Sequence, residues 1–143
     1  MTSPVVGSNY IIPARYTCHG AGQSPPLHWS GAPAGTKSLA LVVDDSAAPI
    51  TPYIYWIVFG INPATTDIQP GQLPPGARQA LNSAGQAGYN PPCPRNHDHS
   101  YRFTVYALGA TVSLPNGTDL KSAWTAIART AIARGRLTVN AEP

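Results

Sequence analysis

The sequence predicts a mainly β fold with one amphipathic helix near the C-terminal end. Three observations carry that reading. Three apolar, β-competent runs recur along the chain: 38–43 (SLALVV), 53–61 (YIYWIVFGI) and 101–108 (YRFTVYAL). Sixteen prolines and thirteen glycines in 143 residues mark frequent turns between short strands. Only residues 119–134 (DLKSAWTAIARTAIAR) change period, placing Leu120, Ala123, Trp124, Ile127 and Ala131 on one helical stripe.

Residues 1–37 are turn-rich. Ser24-Pro25-Pro26-Leu27-His28-Trp29 leads into a short strand, and 31–37 is a surface loop. The run 38–43 is apolar on both faces, which suits a central strand covered on each side. It ends in Asp44-Asp45, followed by Ser46-Ala47-Ala48-Pro49. After the second run, 62–80 is polar and rich in proline and glycine, a loop longer than compact domains usually carry and therefore a candidate for function. Asn90-Pro91-Pro92-Cys93-Pro94 is stiff, because each proline fixes its own φ and extends its predecessor. The strand after it sets His99, Tyr101, Phe103 and Val105 on one face. Thr118 is placed to cap the helix, with Asp119 in its first turn and Gly135 as its stop. Residues 137–139 form a short edge strand.

The length suits one domain over 1–143 with a substantial core. Charge is sparse, at 10%, and part of the net +3 comes from Arg129, Arg134 and Arg136, read as a solvated helix end. No basic run interleaves with aromatics, so nucleic acid is not an expected partner. No apolar stretch approaches the roughly 20 residues of a membrane span. The first residues lack a basic segment and a long apolar core, so stable membrane insertion is not expected and the location is read as cytoplasmic. In such a reducing compartment Cys18 and Cys93 are expected as thiols, Cys93 buried, with a bridge between them left open. Asn116-Gly117-Thr118 matches a glycosylation sequon that this location leaves unused. His97 and His99 flank Asp98 without a further ligand cluster, so no metal is expected, and no dinucleotide, phosphate-loop or GxSxG motif implies a cofactor. His19 and His28 read as surface or structural residues.

Polar groups gather at strand ends. Asp45 closes the first run, Tyr53 and Tyr55 start the second, and His99 and Tyr101 start the third. If the first strand runs antiparallel to the other two, these residues share one edge of the sheet. Period-2 parity puts Leu39, Leu41, Val43 and Asp45 on one face, and likewise Tyr55, Ile57 and Phe59. A carboxylate, an imidazole and phenols would then surround the proline loop, able to bind an anionic or polar head group or to transfer protons. The plainer alternatives are a turn-forming aspartate and ordinary sheet tyrosines.

Taken in order, these segments resemble the phosphatidylethanolamine-binding protein family, whose animal members include Raf kinase inhibitor protein, and in particular its short bacterial branch. Residues 12–29 are similar to IPxxYTCDGxxxSPPLSW, and residues 33–45 (PAGTKSLALVVDD) match the next segment. Residues 82–108 follow NxxGxxGYGGPCPPxxxHxYxFxxYAL. The resemblance implies a Greek-key β-sandwich with a shallow anion-binding pocket. By position, Asp45 stands for the first aspartate of the family's Asp-Pro-Asp-x-Pro loop and Pro49 for its last proline. Tyr89, Pro92, Cys93 and Pro94 belong to the rigid loop, and His99 and Tyr101 to the H-x-Y strand start. The chain departs from that pattern at Ser46 and Ala47, at Tyr55 in place of the histidine before Trp56, and at Pro91 and Arg95. One carboxylate and one imidazole are thereby lost.

The expected function is a preformed pocket that takes a small anionic or polar organic ligand, with an inhibitory or regulatory role left open. Asp45, Pro49, Tyr53, Tyr55, Tyr89, Pro92, Cys93, Pro94, His99 and Tyr101 would line it, with homodimerisation left open. The alternative is a cofactor-independent biosynthetic enzyme: His99 as general acid/base tuned by Asp45, and Tyr55 or Tyr101 donating to an oxyanion, in an isomerisation, cyclisation or decarboxylation.

Overall fold

The computed structural model describes residues 1–45, 53–96 and 98–143. In chain order it contains a 3₁₀ turn (Ala14–Tyr16), β1 (Leu27–His28), β2 (Ser38–Asp45), β3 (Ile54–Ile61), β4 (Asp67–Ile68), β5 (Arg78–Gln79), β6 (His99–Leu108), α1 (Leu120–Thr130) and β7 (Ala131–Ala141). The fold is mainly β, as the sequence predicts. Five strands form one sheet in the order β5-β3-β2-β6-β7, and β1 and β4 form a second, two-stranded sheet. The long connection after β3 returns β6 to the opposite side of β2, the non-sequential step of a Greek key.

β2 is central because both of its faces are apolar. Leu39, Leu41 and Val43 pack with Trp56, Val58, Phe103, Val105 and Val139 against Ile12, Tyr16, Leu27, Trp29 and Ile68. Ala40 and Val42 pack on the other face with Ile57, Phe59, Leu108, Val112, Ala123 and Ile127, beneath the helix. Burying each such aliphatic side chain contributes roughly 1.5–3 kcal/mol, so this double-sided strand anchors the fold.

The 62–80 segment, read as a loop, contains β4 and β5. β4 pairs with β1 (Leu27↔Ile68) and β5 with β3 (Val58↔Gln79). Two-residue strands are too short for any alternation to show. The helix is capped by Asp119, whose carboxylate accepts from the Ser122 N–H at 2.9 Å, and not by Thr118. It ends at Thr130 and the chain passes straight into β7, so Gly135 is no helix stop and lies in β7 opposite Val105. β7 runs for 11 residues, where the sequence suggests only 137–139. Its first four residues are exposed; only Leu137, Val139 and Ala141 alternate inward, and they alone carry the strand signal. Among the described residues no helix is long and apolar enough to cross a membrane.

Candidate functional site

β2 runs antiparallel to both β3 and β6, so the end of β2 and the starts of its neighbours meet at one sheet edge. Asp45 lies directly opposite Tyr101 in the β2–β6 ladder. Asp44, on the opposite face, is held in an ion pair by Arg102, whose Nε donates to its Oδ1 at 2.9 Å. Successive carboxylates are thus separated by the pleat, one held in a surface ion pair and one at the site.

Tyr55 reaches the site through a bulge. Val43 pairs with Trp56, but the next residue, Asp44, pairs with Ile54, leaving Tyr55 as an extra residue in β3. Tyr55 and Trp56 therefore both lie on the face of Leu41 and Val43, whereas Ile57 and Phe59 lie beneath the helix. The parity that groups Tyr55 with Ile57 and Phe59 is corrected: strict alternation stops where the bulge inserts. A second irregularity, two residues of β3 (Phe59 and Gly60) against Ala40 alone, sits where Gly60 takes φ 69°.

The convergence itself follows the sequence reading. His99 Nε2 and Asp45 Oδ1 are 2.7 Å apart, and the Tyr55 hydroxyl donates to Asp45 Oδ2 at 3.4 Å. Asp45 is only 8% exposed. A carboxylate only accepts, so Nε2 of His99 carries the proton in this pair. The Tyr55 ring stands edge-on to Tyr101 at 5.3 Å and lies 4.7 Å from Tyr53, while His99 lies 5.3 Å from Tyr101. Burial, then the neighbouring Tyr101 and Asp45, push the Tyr55 phenol well above its ordinary range. Burial and then Asp45 push Tyr101 up to about 12. Both phenols keep their protons near neutrality, and Tyr55 uses its own to donate to Asp45.

The proline loop borders this cluster. The Asn90 N–H donates to the carbonyl of the bulged Tyr55 at 2.9 Å, and its side-chain amide donates to the Tyr53 hydroxyl at 3.0 Å. Asn90 is a functional neighbour that sequence reasoning left inside the rigid loop without a role. Tyr89 is committed elsewhere: its hydroxyl donates to the Tyr16 carbonyl at 2.8 Å and its ring packs edge-on to Trp56. Pro92 and Pro94 are buried, and the Pro92 carbonyl accepts from the Cys18 N–H at 3.0 Å.

Cys18 and Cys93 are bonded to each other, with Cα atoms 5.1 Å apart. This corrects the expectation of thiols. Expected compartment alone decided that reading, whereas the fold brings the two backbones within bridging distance. The Cys93 sulfur ties the loop down, and the residue is not buried, contrary to the expectation. Pro49, Ser46, Ala47 and His97 lie outside the described residues. Asp45 and His99 belong to no group of three potential metal ligands among the described residues.

A family model described as phosphatidylethanolamine-binding protein matches residues 2–142. Among solved structures, a Chlamydia trachomatis homologue of phosphatidylethanolamine-binding protein (CT736) is 35% identical with a TM-score of 0.89, covering 99% of this chain and 95% of that one. YbcL of E. coli, described as a member of the mammalian PEBP family, is 28% identical with a TM-score of 0.89, covering 99% and 96%. A UPF0098 protein of Methanothermobacter thermautotrophicus is 43% identical over 111 residues, 74% of each chain. A candidate lipoprotein of Mycobacterium tuberculosis, LppC, is 42% identical over 139 residues, 96% of this chain and 69% of that protein.

Proposed function

The chain belongs to the phosphatidylethanolamine-binding protein family, and from that premise we propose a binding module for a small anionic or polar organic molecule, seated at Asp45, His99 and the tyrosines around them. The observation that carries this reading is the 2.7 Å contact between His99 and Asp45 at the sheet edge. It engages the Asp45 carboxylate within the protein, with the Tyr55 hydroxyl on its other oxygen, so an incoming polar group meets a carboxylate that is already hydrogen-bonded. Tyr55 and Tyr101 add phenols that remain protonated. The family pattern's second aspartate is Ala47 here, so the sequence carries one carboxylate fewer than that pattern.

Thermal melting with acetate, phosphate and phosphoethanolamine tests the reading. A ligand that binds only the folded chain must raise the melting temperature with concentration, and His99→Ala must abolish the rise. No shift with any of the three would overturn it.

A second reading, turnover, is favoured by the same pair. A histidine oriented by a buried carboxylate is a base with its orienting group, and protonated phenols suit a developing oxyanion. It predicts that His99→Ala stops conversion of a substrate without releasing it. Cytoplasmic residence is part of the proposal, and a Cys18–Cys93 bridge found intact in protein trapped directly from cells would overturn that part.

A further inference from the structure

Cys18, His19 and Cys93 each offer a donor atom, and the three atoms lie within 4.8 Å of one another. This is the spacing of a metal site, about 75 residues apart in sequence but adjacent in the fold, and it is separate from the Asp45–His99 pair. The bridge occupies the two sulfurs in the oxidised chain.

Hydrogen bonds and prolines also hold the scaffold around them. The Cys18 N–H donates to the Pro92 carbonyl at 3.0 Å, and Thr17 Oγ1 accepts from the His19 N–H at 3.2 Å while donating to the Ala14 carbonyl at 2.8 Å. Prolines at 91, 92 and 94 stiffen the strip that carries Cys93. Opening the bridge would therefore leave both sulfurs close together.

His19 is prepared in the same way. Its Nε2 lies 2.9 Å from the Pro94 carbonyl. A carbonyl only accepts, so Nε2 carries the proton and Nδ1 keeps its lone pair for a ligand. A ring nitrogen tied to a backbone carbonyl, with the other facing the metal, is the usual outer-shell arrangement of ligating histidines. The YTCDG motif that this segment resembles has aspartate where His19 stands, so a hard oxygen is exchanged for a nitrogen suited to the same metals as thiolate.

We propose that reduction of the Cys18–Cys93 bridge creates a site for one Zn²⁺, held by the two thiolates and His19, with a fourth position open to water. A dithiol supplies the two electrons and two protons that convert the bridge to two thiols and is itself oxidised to a disulfide. Binding then releases those two protons as the thiolates coordinate the ion. Two sulfurs and one imidazole select zinc over calcium or magnesium.

The test uses the full chain in two states, oxidised and reduced with a dithiol that is then removed without air. Each is titrated with Co²⁺ as a spectroscopic stand-in and with Zn²⁺ against a chromophoric chelator. The reduced chain is expected to take up one equivalent with a thiolate-to-cobalt charge-transfer band, and the oxidised chain none. His19→Ala should weaken binding by at least about tenfold. Cys93→Ser should remove the charge-transfer site. Zinc should also raise the melting temperature of the reduced chain and leave the oxidised chain unchanged. Equal uptake by the two states, unchanged affinity in His19→Ala, or a reduced chain that unfolds and takes up no zinc would each overturn the proposal.

Discussion

His99 and Asp45 meet across 2.7 Å although they start and end neighbouring antiparallel strands, with Tyr101 as the direct ladder partner of Asp45. The contact is diagonal across the β2–β6 ladder, within reach of a long side chain. It is thus a product of register, and everything expected of the site depends on that register.

Removing the imidazole takes one hydrogen-bond partner from a largely buried carboxylate. His99→Ala is expected to lower stability by about 1–3 kcal/mol, the range for a lost hydrogen bond to a charged group. Urea unfolding measures this, and the slope with denaturant should stay unchanged if the fold is intact. A variant as stable as the parent would show that Asp45 is held by other groups.

The phenols give the molecule an alkaline limit. Tyr55, Tyr89 and Tyr101 are all raised from 10.0, the first two beyond the range reached by Tyr101 at about 12. A group whose folded pKa lies above its unfolded one contributes stability that is complete below the unfolded value and is lost as pH rises through the folded value. Stability should therefore fall as pH climbs from about 10 towards 12. Ultraviolet titration of the folded chain should show three phenols that ionise late, and Tyr55→Phe should remove one of them.

The bridge closes a long loop, with a sequence separation of 75. Cys18→Ser with Cys93→Ser should cost about 2–5 kcal/mol, mostly by freeing the unfolded chain. Thermal melting of the double variant against the parent, with no reductant and no metal added, checks this.

Gly60 sits in β3 with φ 69°, and an added Cβ would meet nothing closer than the Gly76 carbonyl at 3.8 Å. Space is available, so the penalty of Gly60→Ala is one of backbone conformation alone, of order 1–3 kcal/mol. A smaller loss would mean that the second irregularity of β3 relaxes on substitution.

Legibility in the sequence followed the strength of periodic signals. Residues 38–43, apolar on both faces, announced a central strand, and antiparallel pairing was enough to bring Asp45, His99 and Tyr101 together. The bulge at Tyr55 had no marker, because a bulged residue on a buried face looks like its neighbours. β4 and β5 are too short to alternate, and β7 begins with residues that face solvent. The Asp119 cap lay one position from the expected Thr118, since threonine and aspartate are both residue types that cap helices. The cysteine pairing is a matter of three-dimensional proximity, which spacing alone does not encode.

The two irregularities of β3 bracket Trp56, Ile57 and Val58, which pair without interruption with Val43, Val42 and Leu41. A strand pinned at both ends in this way cannot slide, because a shift of one residue would require both extra residues to migrate together. The alignment of Tyr55 with Asp45 is therefore set within the sheet. The carboxylate and the phenol that meets it are thereby indexed to the core.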